Sequence, residues 1–145
     1  MKYIFGPVPS RRLGRSLGID PIPDKTCNFQ CIYCQLGRTT SFTNERQVFF
    51  PVEDILSELS DAIQENEDNF DYITLVGSGE PTLYGDLASL LEGVKKLSEK
   101  PICVITNGSL LHDENVQDAL MLADVVLPTL DAGDEKMFIK INRPH

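Results

Sequence analysis

The sequence predicts an α/β protein built around a parallel sheet. Short apolar runs rich in β-branched residues lie at positions 72–76, 102–105 and 125–127, and they alternate with segments whose apolar residues recur at helical spacing. A strand–helix alternation with a period of roughly 25 to 30 residues is typical of right-handed βαβ units. A glycine or proline turn follows each run, so we expect these turns at the carboxyl edge of the sheet.

The first helix is predicted over residues 52–63. Its apolar side chains share one face, and Pro51 suits the position at which a helix begins. Glu53 and Asp54 fall in the first turn, where carboxylates interact favourably with the helix dipole.

The rest of the pattern supplies three more helices and one weaker strand. The helices are predicted at residues 83–97, 113–122 and 134–141. A weaker apolar run at 17–20 predicts an additional first strand, which makes about four strands in all. Because such a sheet has an unpaired edge, we expect another chain or further C-terminal residues to cover it.

Composition indicates one soluble globular domain. Of the 145 residues, 41% are hydrophobic and 24% are charged. No apolar run approaches the roughly 20 residues of a membrane span, and the N-terminus lacks a signal-peptide stretch, so a cytoplasmic location without membrane association is expected. In a reducing compartment, the four cysteines indicate metal or redox chemistry before disulfides.

Charge is distributed unevenly along the chain. Residues 1–50 hold seven basic and three acidic side chains, although the whole chain has a formal net charge of −9. The cysteine loop and Arg11, Arg12 and Arg15 share this basic part, which predicts an anionic substrate or an acidic electron donor. The alternative is that these arginines are merely solvated. A pI near 4.6 does not favour general nucleic-acid binding but leaves it open.

The strongest chemical motif is a cysteine loop with the spacing C-x3-C-x2-C, formed by Cys27, Cys31 and Cys34. Thiolates with two or three residues between them in a short loop can wrap around one face of a cubane iron–sulfur cluster. Three ligands leave one iron open, and an open coordination position can bind an amine and a carboxylate.

With an aromatic residue, Tyr33, just before its last cysteine, this loop resembles the defining motif of the radical S-adenosylmethionine superfamily. Residues 77–82, Gly-Ser-Gly-Glu-Pro-Thr, are similar to the glycine-rich segment after the second barrel strand of that superfamily. Residues 106–108, Thr-Asn-Gly, resemble the segment after its third strand. The opening at 6–18 resembles an Fe-S oxidoreductase branch near the wybutosine-synthesis enzymes.

The resemblance implies a fold and a domain plan. The fold would be roughly half of a partial TIM-like (β/α)6 barrel. Residues 1–145 would be the N-terminal portion of a truncated core domain, with the cluster loop 27–34 in segment 1–50 and βα repeats in 51–145.

The resemblance also implies an enzyme activity. A 4Fe-4S cluster on the three cysteines would reductively cleave S-adenosylmethionine to a 5′-deoxyadenosyl radical, which abstracts hydrogen from an unknown substrate. Reduced flavodoxin or ferredoxin would supply the electron, and no catalytic residue beyond the cluster ligands is expected. The expected cofactor contacts are Tyr33, Gly77, Gly79, Glu80, Thr106, Asn107, Thr129 and Asp131.

Other interpretations of these residues stay open from sequence. The three cysteines could hold zinc or a passive cluster in a binding or electron-transfer module, or the chain could be an inactive fragment. Cys103 could complete a four-cysteine site, although a small core residue is favoured because it lies early in its strand. Glu80 and Asp131 could simply cap helices, and Asn107 could be part of a plain turn.

Overall fold

The computed structural model describes residues 1–67 and 69–145, and its centre is a five-stranded sheet. In the described residues the strands are β1 (Ile4–Ser10), β2 (Gly14–Ile19), β3 (Thr26–Cys27), β4 (Ser41–Phe42), β5 (Tyr72–Leu75), β6 (Ile102–Thr106) and β7 (Val125–Pro128). The helices are α1 (Val52–Glu65), α2 (Leu87–Leu97), α3 (Glu114–Leu120) and α4 (Glu135–Asn142). The prediction of an α/β protein is confirmed.

The large sheet has the strand order β1-β2-β5-β6-β7. The strands β2, β5, β6 and β7 are parallel, and β1 pairs antiparallel with β2. The carboxyl ends of the four parallel strands therefore meet at one edge, which is where ligands bind in open α/β sheets. The cysteine loop follows β2 at this edge, and its own short strands β3 and β4 pair with each other.

The prediction of about four strands was wrong because it missed β1 and the two-residue strands β3 and β4. Strand β1 contains Gly6, Pro7 and Pro9, which are unfavourable inside a sheet. It tolerates them because it lies at the edge, and its pairing with β2 is irregular between Phe5 and Val8. An antiparallel strand thus covers one edge of the parallel sheet, and β7 forms the other edge.

The helices begin and end close to their predicted positions, with one exception. The second helix was predicted from residue 83, but a separate 3₁₀ turn at Pro81–Leu83 precedes α2. Asp134 caps α4 by accepting a hydrogen bond from the Met137 N–H at 2.9 Å. Within residues 1–67 and 69–145, no helix combines the length and apolar character needed to cross a membrane.

The core lies between the sheet and the first three helices. Leucines and isoleucines of the parallel strands pack there against the apolar faces of α1, α2 and α3. Cys103 is fully buried on β6, as expected for a small core residue.

Replacing Leu90 by alanine is expected to destabilise the protein by about 3 kcal/mol. Leu90 is 0% exposed on α2, so the substitution removes its packing and leaves a cavity. Leu97 on the same helix is 38% exposed, and Leu97→Ala should cost less than about 1 kcal/mol. Urea unfolding of both variants measures the difference, and equal costs would contradict the position of the core.

Candidate functional site

The three cysteines of the loop face one small cavity. Cys27, Cys31 and Cys34 line a space of about 170 Å³ together with Gly77 and Gly79. Cys27 and Cys31 are half-buried and Cys34 is exposed, and none forms a disulfide. The structure therefore brings the predicted metal ligands and both predicted glycines to the same place.

The thiols do not converge as ligands of a single ion. Among the described residues, no group of three His, Cys, Asp or Glu side chains is close enough to hold one metal ion. In a cubane cluster each cysteine binds a different iron, so its thiolates are spread over the cluster rather than gathered on one atom. Soft thiolates around a small cavity fit such a cluster.

Local hydrogen bonds shape the loop around Cys27. The Phe29 N–H donates to the Cys27 sulfur at 3.4 Å, and the Cys34 N–H donates to the Cys31 carbonyl at 3.2 Å. Burial raises the pKa of the Cys27 thiol to about 11, and the nearby Glu80 carboxylate adds to this rise. Cys27 is thus a thiol at neutral pH in the metal-free protein, and metal binding must displace its proton.

The glycine turn after β5 is fastened to the chain just before the cysteine loop. Ser78 donates to the Asp20 carboxylate through its N–H at 2.9 Å and its hydroxyl at 2.7 Å, and its carbonyl accepts from the Lys25 N–H at 2.6 Å. The Glu80 N–H donates to the Thr26 carbonyl at 3.1 Å. These bonds fix the turn beside the cluster cavity.

Gly79→Ala is expected to destabilise the protein by about 3 kcal/mol, because a Cβ at Gly79 would overlap the Thr26 carbonyl oxygen. The Ile22 side chain would lie only 2.7 Å from that Cβ, so the two segments would have to separate. Gly133 has open space around it, and Gly133→Ala should change stability by at most about 0.5 kcal/mol. Thermal unfolding distinguishes the two variants, and a neutral Gly79→Ala would contradict this packing.

Glu80 and Thr106 lie beneath the site rather than in it. Glu80 is 2% exposed, and its carboxylate accepts from the hydroxyls of Thr82 at 2.6 Å and Thr106 at 2.5 Å. It also accepts from the Asn107 N–H at 2.7 Å. Glu80 and Thr106, which were both predicted to contact the cofactor, therefore bond to each other and connect the end of β5 to the end of β6.

A second, larger cavity of about 640 Å³ adjoins the cluster cavity, and Phe29 lines both. Three of the predicted contact residues, Asn107, Thr129 and Asp131, line this larger space. Its walls are mostly apolar, and the Phe138 ring packs edge-on against the Phe29 ring with the two centroids 5.3 Å apart. A cavity of this size with apolar walls and a few polar groups is typical of small-molecule sites.

Asp131 links the loop to the larger cavity. The Tyr33 hydroxyl donates to its carboxylate, and Asn142 donates to the same oxygen at 2.7 Å. Burial raises the pKa of Tyr33 well above its usual range, and the bond to Asp131 adds to this rise. The alternative that Asp131 caps the following helix was wrong, since Asp134 is the cap.

Sequence reasoning missed the contribution of the chain from Asn142 to His145. The Gln30 N–H donates to the Asn142 carbonyl at 2.9 Å, and the His145 N–H donates to the Asn28 carbonyl at 2.9 Å. The Asn142 side chain also donates to the Cys31 sulfur at 3.3 Å. No local spacing connects residues so distant in sequence, so no pattern could have found them.

Sequence reasoning also missed Asn28 and Ser109, which join the loop to β6. The Asn107 amide donates to the Asn28 side-chain oxygen at 2.9 Å and lies 3.7 Å from the Cys27 sulfur. The Asn28 amide donates to the Ser109 hydroxyl at 2.7 Å. Asn107 therefore organises the site and is more than part of a plain turn.

Arg11, Arg12 and Arg15 were grouped with the cysteine loop from sequence, and for these three arginines that placement was wrong. Arg11 and Arg12 lie in the turn between β1 and β2, and Arg15 lies at the start of β2, where its N–H donates to Asp71 at 2.7 Å. This is the amino end of the parallel strands, opposite the cysteines. These arginines therefore give no support to an anionic ligand at the cluster cavity.

Comparison with known proteins agrees with this geometry. Residues 22–145 match the family model described as the Radical SAM superfamily. A protein of Brachyspira hyodysenteriae named GTPase Obg is 49% identical over 144 residues, which are 99% of this chain and 21% of that protein. A UPF0026 protein of Methanocaldococcus jannaschii is 45% identical over 146 residues, which cover 100% of this chain and 45% of that protein.

A more distant relative has a more specific name. A probable GTP 3′,8-cyclase of Saccharolobus islandicus is 32% identical over 117 residues, covering 79% of this chain and 35% of that protein. The chain spans less than half the length of each of these three relatives.

Proposed function

Because the chain belongs to the radical S-adenosylmethionine superfamily, we propose that it holds the cofactors of a radical enzyme at the carboxyl edge of its sheet. Cys27, Cys31 and Cys34 would bind a 4Fe-4S cluster, and S-adenosylmethionine would bind beside it. The observation that carries this proposal is the meeting of the three thiols at one small cavity that shares a wall with a larger one.

When both cofactors are bound, the chemistry available is one-electron cleavage of the sulfonium carbon–sulfur bond, which gives methionine and a 5′-deoxyadenosyl radical able to take a hydrogen atom from a substrate. The part of the protein is to bind and place the cofactors. Gly77 and Gly79 keep the backbone close to the cysteines, since they line the same cavity.

The residues that line the larger cavity support the proposal that S-adenosylmethionine binds there. The rings of Phe29 and Phe138 supply apolar surface for an adenine. Asn107, Thr129 and Asp131 line the same cavity and would supply polar groups for the hydroxyl, amine and carboxylate groups of the cofactor. Tyr33 holds the Asp131 carboxylate in place. Glu80 and Thr106 act indirectly, by fixing Asn107 from below.

The proposal includes two partners. Reduced flavodoxin or ferredoxin would deliver the electron, and the exposed Cys34 marks the side of the loop nearest solvent. A strand from elsewhere would pair with the outer edge of β7, because edge strands with free N–H and C=O groups are usually covered.

Anaerobic reconstitution with iron and sulfide tests the proposed function. The loaded chain should contain about four irons and absorb as a brown cluster protein. Addition of dithionite and S-adenosylmethionine should then release 5′-deoxyadenosine, measured by chromatography. About one zinc without iron or sulfide would support a zinc module instead, and a loaded cluster that neither binds nor cleaves S-adenosylmethionine would support a passive electron carrier.

A further inference from the structure

Asn142 lies where the end of α4 meets the cysteine loop. Asn142 is only 3% exposed, although it is the last residue of the helix. Its amide nitrogen is 3.3 Å from the Cys31 sulfur and 2.7 Å from a carboxylate oxygen of Asp131. The loop is held to the same helix end by the bond from the Ile32 N–H to the Ile141 carbonyl at 2.9 Å.

The neighbours of Asn142 determine which way its amide points. A carboxylate only accepts hydrogen bonds, so the Asp131 oxygen requires the NH₂ group on its side. The NH₂ group has two hydrogens, and Asp131 and Cys31 each take one of them. The opposite orientation would place an amide oxygen against both a carboxylate oxygen and a sulfur, which is unfavourable.

A second asparagine repeats this arrangement at a second cysteine. The Asn107 amide donates to the Asn28 oxygen at 2.9 Å and lies 3.7 Å from the Cys27 sulfur. The Asn107 oxygen accepts from the Ser109 N–H and hydroxyl at 2.9 and 2.6 Å, which fixes the NH₂ group toward the cysteine. Asn142 makes the shorter of the two contacts with sulfur.

Amide hydrogen bonds to cysteine sulfurs are one of the features that set the reduction potential of an iron–sulfur cluster, because they stabilise the more electron-rich reduced state. We infer that Asn142 is a positioning residue that holds Cys31 against Asp131 and raises the reduction potential of the cluster through its N–H···S bond. This inference rests on the proposed function, because it requires a cluster on Cys31.

Two variants remove the donor and one matched variant keeps it. Asn142→Leu and Asn142→Asp both lack the N–H group, and Asp has nearly the same shape as Asn. Asn115→Leu makes the same kind of change at an exposed position of α3. The midpoint potential of each loaded protein is measured by a redox titration followed by electron paramagnetic resonance. It does not depend on the fraction of protein loaded, so partial loading leaves the comparison valid.

Both Asn142 variants should have a more negative midpoint potential than the parent, and Asn115→Leu should match the parent. A tenfold change in the one-electron equilibrium corresponds to about 59 mV, and we expect a shift of up to this size for Asn142→Leu. An unchanged potential in both Asn142 variants would overturn the inference. A complete loss of loading in both, with a loaded parent, would also overturn it and would make Asn142 an assembly residue.

A measurement on the metal-free chain separates this inference from the proposed function. In urea unfolding, Asn142→Leu and Cys31→Ala should be non-additive, because each removes the same contact. If the two effects are non-additive but the parent never binds iron, the proposed function is rejected and the contact between Asn142 and Cys31 is retained. Additive effects would show that the contact is absent and would overturn the inference.

Discussion

Replacing Cys27, Cys31 or Cys34 by alanine, one at a time, is expected to abolish both iron binding and release of 5′-deoxyadenosine. Three thiolates are the fewest that surround one face of a cubane, so two cannot hold it. Iron should fall from about four per chain in the parent to background in each variant. Iron and sulfide assays after anaerobic reconstitution measure binding, and chromatography after dithionite addition measures cleavage.

Cys103→Ala is the matched control for these variants. Cys103 is buried on β6 and pairs across the sheet with Thr74 and Val125, so it lies outside the loop. Its replacement should retain full iron content and cost about 1 kcal/mol of stability through the small cavity it leaves. Iron retained by a loop variant, or lost from Cys103→Ala, would reject the three-cysteine site.

The parallel strands were predictable because their signal is local. The predicted runs overlap β5, β6 and β7, since each of these strands is a short continuous apolar segment. Strand β1 was not predictable in the same way. Its two prolines and its glycine are unfavourable in the interior of a sheet. They are tolerated because β1 lies at the edge, and that position is set by the tertiary structure.

The cysteine loop was predictable for the same reason, and the long-range side-chain contacts around it were not. The ligands lie three or four residues apart, so their spacing is visible in the sequence. Asn142 and Cys31 are 111 residues apart, and Tyr33 and Asp131 are 98 apart. Their contacts exist because α4 returns to the loop, which no local pattern specifies. The placement of the arginines was wrong for the opposite reason, because they are close to the cysteines in sequence but not in space.

Glu80 connects this sheet edge to the site, and it is buried with donors around both of its carboxylate oxygens. One carboxylate oxygen accepts from the N–H and hydroxyl of Thr82 at 3.1 and 2.6 Å and from the Thr106 hydroxyl at 2.5 Å. The other accepts from the Asn107 N–H at 2.7 Å. All four partners donate, so the carboxylate is the single acceptor that satisfies them.

Glu80→Ala is therefore expected to destabilise the protein by about 4 kcal/mol, because it leaves buried donors of Thr82, Thr106 and Asn107 without their acceptor. The loss of stability for Glu80→Gln should lie between zero and that of Glu80→Ala, since the NH₂ group of the glutamine would face a donor. Glu92→Ala, at an exposed position of α2, should change stability by at most about 0.5 kcal/mol. Urea unfolding of the metal-free proteins gives these values.

Iron loading should fall with Glu80→Ala as well, because Asn107 would no longer be fixed beside the cysteine loop. A stable, fully loaded Glu80→Ala protein would reject this role of Glu80.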